Sequence, residues 1–360
     1  MVKERFLISP HLVFFVISSS QIGIGVLGFQ RIIAKEAGKD SWMAILLAAL
    51  CVHIIVFIMY RMLKESKGDL ISIHQLTFGK WMGNGLSLFF IVYLVLKSIA
   101  ILRSYVEVIQ VWMFPELNLW VFNLYFLLLV IYIVTGGFRV VAGICLFSII
   151  LPFYLIFSIM FPIEFSSFRN LVPPFTHSVV DILKATKSMS LTVIGFEILL
   201  LIYPYIKNPE KSKKWAHLGV MYSTFIFLLT GVVSLIFFSE GQLEKMIWAT
   251  LSMWKIVEIP IVERFEYVGI TSWLILVIPN VCLELWASSR IIKRVSSFKQ
   301  RHALIVLAGL VLICSSLLTT RTQINMVNDI VAQIGFYFVF FYIPFLYVLF
   351  LVVQKVRKKQ

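Results

Sequence analysis

Ten long apolar runs constrain the fold of this chain more than any other feature. They fall at about 11–34, 42–62, 83–111, 119–136, 140–162, 188–206, 216–238, 267–289, 302–319 and 330–353. A helix of roughly 20 apolar residues spans the hydrocarbon of a bilayer. Lipid offers no partner for backbone N–H and C=O groups, so a spanning segment satisfies them internally. The runs are too long and too uniformly apolar for barrel strands. Composition agrees, with 60% hydrophobic and 14% charged residues in 360, against about 45–50% and 25% in soluble domains. The expected class is an all-α integral membrane protein, with ten spans in a single transmembrane domain over 1–360. The stretch KERFLISPHLVFFVI near the start looks like a secretory leader, but no A-x-A-like site follows. It reads as a retained first span.

Lysine and arginine set the expected orientation. With the N-terminus cytoplasmic, 20 of the 32 lie on inside connections and 10 outside, while Lys97 and Arg103 fall within span three. Both termini are therefore expected in the cytoplasm. The net charge of +14 then reflects topology and attraction to anionic lipid rather than a nucleic-acid surface. Two connections carry structure of their own. Residues 68–85 have apolar residues at helical spacing and are expected to lie along the inner membrane face. Residues 239–267, rich in Trp, Ile and Met, are expected to form a short helix plus an extended piece capping the outer face, or docking another chain.

Span one contains GIGVLG, a literal G-x-G-x-x-G at Gly23, Gly25 and Gly28. A dinucleotide site needs a strand before this motif and an acid about 20 residues after it. Residues 42–60 contain no acid, so the nucleotide reading fails. Glycine weakens a helix interior, and an interruption at membrane depth is tolerated where it lines a cavity. Secondary transporters place two such breaks at corresponding positions of two halves. Span six supplies the partner, with Thr192, Gly195 and Glu197 mid-span and Pro204 beyond. Ten spans divide into five and five, and an odd number inverts the second half. Repeat one is expected over about 11–162 and repeat two over about 188–353. Unwinding near Gly23 to Gly28 frees amides suited to a carboxylate, and freed carbonyls opposite suit an ammonium. A zwitterionic amino acid fits both. The competing explanation for the glycines is close packing of small residues between helices.

These residues also carry a resemblance. QIGIGVLGFQRIIAKEAGKDSW (21–42), FGKWMG (78–83), GFEILLLIYPYIKNPEKSKK (195–214) and EIPIVERFEYVGITSW (258–273) are similar to the B-subunit permeases of spore nutrient germinant receptors. That family lies within the amino acid–polyamine–organocation (APC) superfamily, and the likeness covers essentially the whole chain. It implies a LeuT/APC-like fold of ten helices, a 5+5 inverted repeat with helices 1 and 6 broken, in the spore inner membrane. It implies small germinants, typically L-amino acids, and partnership with a membrane A subunit and a lipoprotein C subunit. The family usually has Leu-Pro-Arg after the glycines, where this chain has Phe29–Gln30–Arg31, and Asp is more usual at Glu266.

Ionisable groups at membrane depth mark candidate sites. Glu197 is read as a contact for a ligand ammonium, a proton or a cation, or as an acceptor for unwound backbone. Lys97, one turn after Tyr93, is expected to stand in for a coupling sodium ion or to pair with Glu197. Glu284 of span eight, with Asn280 one turn before it, is read as a structural group or a wall of the site. The expected ligand-binding set joins Gln21, Gly23, Ile24 and Gly25 to Tyr93 and Lys97, to Thr192, Gly195 and Glu197, and to Asn280 and Glu284. Arg103 and Glu107, spaced i, i+4, are expected to form a salt bridge. Cys51, Cys145, Cys282 and Cys314 read as buried small hydrophobes. The histidines lack metal-ligand spacing, and no nucleophile–base pair or cofactor motif survives its context, so no enzyme, metal or cofactor is expected. A working amino-acid transporter, proton-coupled or not, is the alternative to a receptor subunit.

Overall fold

The computed structural model describes residues 4–260 and 262–357. Lys3, Ile261, Lys358 and Lys359, used in the charge and motif readings above, lie outside the described residues, as does the Arg5 side chain. The chain opens with α1 (Leu12–Gln21), a 3-10 turn over Ile24–Leu27 and α2 (Phe29–Ala37). Then come α3 (Trp42–Ser66), α4 (Leu70–Phe78), α5 (Lys80–Trp112), α6 (Leu119–Thr135) and α7 (Phe138–Ile150). Short helical turns carry this segment on to Glu164, and after the following connection come α8 (Val179–Ser188), α9 (Ser190–Val193), α10 (Leu199–Ile202) and α11 (Lys213–Phe237). The last elements are α12 (Ala249–Trp254), α13 (Phe265–Val295), α14 (Gln300–Leu317), α15 (Arg321–Tyr337) and α16 (Ile343–Arg357). A π-turn over Phe338–Tyr342 joins α15 to α16.

Among the described residues, seven helical segments are long and apolar enough to cross a membrane, and three shorter apolar helices cover Leu12–Gln21, Leu119–Thr135 and Phe196–Tyr205. The shorter ones include both broken spans. Helix α5 packs along α13, and α1 packs against α11 and α7. The apolar windows of α5 and α13 are 61% and 67% buried, against 22% for Arg321–Arg357. The first two therefore form the centre of the bundle, and the last presents its side chains outward.

Both expected breaks are present, and each has a local cause. Helix α1 stops at Ile22, which is extended, and Gly23 continues extended into the 3-10 turn. In span six, Ile194 is extended and Gly195 takes φ +129°, a region where a Cβ is disfavoured. Pro204 then closes the segment in a 3-10 turn. A parallel bridge between Ile8 and Ile206 ties the ends of the two broken spans together, through Ile8 N–H to the Tyr205 carbonyl and Lys207 N–H to the Ile8 carbonyl, both 2.8 Å.

The 68–85 connection is shorter than expected. Helix α4 ends at Gly79, whose φ of +80° turns the chain, and residues 80–85 already belong to α5. Asp69 caps α4 by accepting from Ser72 N–H and pairs with Arg294 at 2.8 Å. The buried His74 meets Ser87 at 2.9 Å and Tyr342 at 2.8 Å. Burial pushes its imidazole down to about 4, so a neutral ring joins α4 to α5 and to the final span. The 239–267 connection forms a capped turn at Ser239, helix α12, and an isolated bridge between Ile259 and Val262. Cys145 and Cys282 are buried as expected, whereas Cys314 is half-buried and Cys51 is exposed on α3. An apolar helix surface facing lipid has no reason to bury a residue as small as cysteine.

On the opposite face the start of α3 is clasped to the long connection before α8. The buried Asp40 carboxylate accepts from the amides of Phe175, Thr176 and His177 at 2.9, 2.7 and 3.0 Å. Burial alone would raise its pKa, but the hydrogen bonds from His177, Phe175 and Thr176 outweigh that and hold it below the ordinary aspartate value. A depressed pKa in the folded state stabilises above the unfolded value and loses that contribution as pH falls through the folded one. Asp40→Ala is therefore expected to lower stability at neutral pH by about 2–4 kcal/mol, taking hydrogen bonds to a charged group at about 1.5–3 kcal/mol each and allowing for partial rescue by water. Thermal unfolding in detergent at pH 7 and pH 3 checks this. The gap between native and variant should narrow in acid, and a gap that widens there refutes the clasp.

Candidate functional site

The two breaks touch. Gln21 Nε2 donates to the Val193 carbonyl at 2.6 Å, so the last residue of α1 is fastened to the end of α9. A Cβ on Gly195 would run into the Ser20 carbonyl. Gly195 is thus a close-packing glycine as well as a conformational one. The other two glycines behave differently. A Cβ on Gly23 would lie 3.3 Å from Asn280 Oδ1, and one on Gly25 3.3 Å from the Thr192 side chain. Both line a cavity of about 380 Å³. Gly28 lies against the outer connection, where a Cβ would strike the Ile247 carbonyl.

Unwinding leaves the amides of Gly23, Ile24 and Gly25 without an acceptor among the described residues. The carbonyls fare otherwise. Gly23 O accepts from Trp273 Nε1 at 3.2 Å, and Ile22 O from Asn280 Nδ2 at 3.4 Å. The break is therefore rich in free donors, while two of its acceptors are already occupied. The Gln21 Oε1 atom is buried with no partner among the described residues and belongs to a residue of the cavity wall. Free donors at a helix start, beside a small polar wall, form an anion-binding arrangement.

The expected residues divide into two groups. Gln21, Gly23, Ile24, Gly25, Lys97, Thr192 and Asn280 line the cavity. Tyr93, Gly195, Glu197 and Glu284 stand behind it, gathered around Lys97. The Lys97 ammonium lies 2.9 Å from Glu197 Oε1 and 2.8 Å from Glu284 Oε1. The Tyr93 hydroxyl donates to Glu197 Oε1 at 2.8 Å, and Gly195 N–H to Glu197 Oε2 at 2.5 Å. Glu197 therefore serves unwound backbone, Tyr93 and Lys97, with a donor on each of its oxygens. The three charged residues are only 5, 1 and 2% exposed for Lys97, Glu197 and Glu284.

The Arg103–Glu107 bridge is not formed. Glu107 pairs instead with Arg321 at the start of α15, and Arg103 Nε donates to the Leu318 carbonyl at 2.5 Å. A tertiary partner displaced the i, i+4 neighbour because span ten starts earlier than its apolar run, at Arg321. Three polar residues of α15, Asn325, Asn328 and Asp329, consequently line the cavity mouth with Arg31 and Lys35. Their i, i+3 and i+4 spacing was a readable polar helix face ahead of the apolar run. Ile247 and Trp248 of the outer connection also line the cavity, and Thr250 Oγ1 donates to the Val26 carbonyl at 3.0 Å. Only the folded connection reveals those three.

Solved structures resemble this architecture. A structure described as MhsT in complex with L-phenylalanine superposes with a TM-score of 0.63 over 95% of this chain and 98% of that one, at 14% identity. A Na+-coupled sialic acid symporter gives 0.62 over 91% of this chain and 76% of that one, also at 14% identity. The broken helices, the buried cluster and this likeness define a membrane protein of transporter-like, LeuT-like fold. A family profile described as "Spore germination protein" matches residues 7–324. The spore germination protein GerQB of Bacillus cereus is 43% identical over 93% of each chain. The spore germination protein B2 of Bacillus subtilis (strain 168) is 26% identical over 72% of this chain and 71% of that one. The chain belongs to the B-subunit family of spore germination proteins, which is a family of receptor permeases and not of enzymes.

Removing Lys97 would leave the buried acids Glu197 and Glu284 without the cation that they share. Breaking a buried charge cluster from one side costs about 3–5 kcal/mol. Lys97→Met is expected to destabilise by that amount in thermal unfolding of the purified protein, with Lys97→Arg losing less. A Lys97→Met protein as stable as native would show that the cluster contributes nothing to holding the spans together.

Proposed function

We propose that this B subunit binds a small germinant in the cavity at the two breaks and passes the binding event to partner subunits. One observation carries the reading: Gly23, Ile24 and Gly25, whose amides meet no acceptor among the described residues, line a cavity of about 380 Å³. Such a site suits a small molecule with a carboxylate, an L-amino acid in the first instance. The carboxylate would take the amides. Thr192 and the free Gln21 Oε1 would receive the ligand's donors, since Glu197 is held by Lys97. In this reading the ten segments form five-plus-five inverted repeats, both termini are cytoplasmic, and the chain resides in the spore inner membrane. Its partners are a membrane A subunit and a lipoprotein C subunit. Sensing requires only that the ligand bind one conformation better than another.

The second reading is a secondary transporter, which the likeness to a symporter favours. Uptake of labelled amino acids into vesicles separates the two, because a sensor binds without accumulation.

The test of the site is the germinant dose–response of spores carrying Gly25→Leu. The added side chain would press on Thr192 and fill the space beside the free amides. The half-maximal germinant concentration should rise by about tenfold or more, the equivalent of about 1.4 kcal/mol of lost binding, with the protein present at native level by immunoblot. An unchanged response at equal protein level would remove the ligand from this cavity.

A further inference from the structure

The Lys97 cluster gathers one ammonium and two buried carboxyl groups behind the cavity wall. Helix α5 contributes Lys97 and Tyr93, the turn after Gly195 contributes Glu197, and α13 contributes Glu284. Cys145 of α7 lies close to Cys282 of α13, and the buried polar residues of α1 are serines and Gln21. With every acid and the lysine ionised, the cluster holds a net charge of −1.

The two carboxylates are not equivalent. Glu197 has donors on both oxygens, from Tyr93 and Lys97 on Oε1 and from Gly195 N–H on Oε2. Among the described residues Glu284 has Lys97 alone, on Oε1, and its buried Oε2 meets no donor. An ionised oxygen without a donor is the costliest state a buried polar atom can have, and a neutral carboxyl costs far less.

We propose that Glu284 is a proton-binding site: it holds one proton on Oε2, while Lys97 is balanced by Glu197 alone. The bond formed is Oε2–H, and the proton comes from and returns to water. Glu284 Oε1 then accepts from the Lys97 ammonium as a carbonyl oxygen. A conformational change that wets Glu284 lets it ionise and release the proton. The arrangement seen here binds the extra proton, so lower pH favours it over a wetted one. A receptor whose two conformations differ in bound protons responds to pH as well as to germinant.

The test is infrared spectroscopy of the full chain in lipid vesicles at neutral pH, in H₂O and in D₂O. The exposed acids are ionised there, so a protonated-carboxyl band that shifts on deuteration reports a dry acid. That band is expected in the native protein and lost in Glu284→Gln. It is also expected to be lost in Glu197→Gln, because Lys97 then faces a single carboxylate, which ionises. A native protein without the band overturns the proposal, and that result needs no variant to fold. A band that persists in Glu284→Gln overturns it by locating the proton elsewhere. A band present in choline buffer but abolished by sodium or potassium overturns it in favour of a metal cation.

Discussion

A single ammonium group holds the centre of this bundle together. Lys97 projects from α5 and meets a carboxylate from each of two other elements, the broken span six and α13. Charge in a medium of low dielectric tolerates no vacancy among its partners. The positions of the three elements are therefore coupled, and the break at Gly195 is held in a defined shape by the same side chain, Glu197, that answers Lys97. A helix interrupted in mid-membrane has exposed backbone to satisfy, and here the cluster satisfies part of it.

The remaining part is left open, and that division separates structure from function. Gly195 is used up by packing on Ser20 and by its own left-handed backbone. Gly23 and Gly25 keep free amides beside a cavity. Close packing thus accounts for Gly195, while Gly23 and Gly25 face a cavity. The carbonyls at the first break are bound by Trp273 and Asn280 of α13, which leaves donors as the chemistry on offer.

Much of this was legible before any coordinates. The apolar runs located the helices because lipid enforces one length and one kind of hydrogen bonding. The glycines at 23, 25 and 195 located the breaks because no other residue explains itself there. Lys97 and Glu197 could be paired because each needed a partner at the same depth. Other features were hidden for equally physical reasons. Glu284 looked like a wall residue, since nothing in a sequence shows that one ammonium serves two acids. Glu107 found Arg321, far along the chain, rather than its helical neighbour Arg103. The outer connection reaches the break through Thr250 and Trp248 by tertiary folding alone, and no periodicity announces that.

The short helix α2 is gripped at both ends. At its start, Val26 O and Gln30 are bonded to Thr250 of the outer connection. Just past its end, Asp40 holds the amides of residues 175–177. Between those grips lie about two turns of hydrogen-bonded helix, which transmit displacement with little bending. A shift at Gly25 would therefore press on two elements far apart in the chain, the buried helix α12 and the 175–177 segment. In the proposed reading, a subunit resting against either element would respond to a pocket that it never enters.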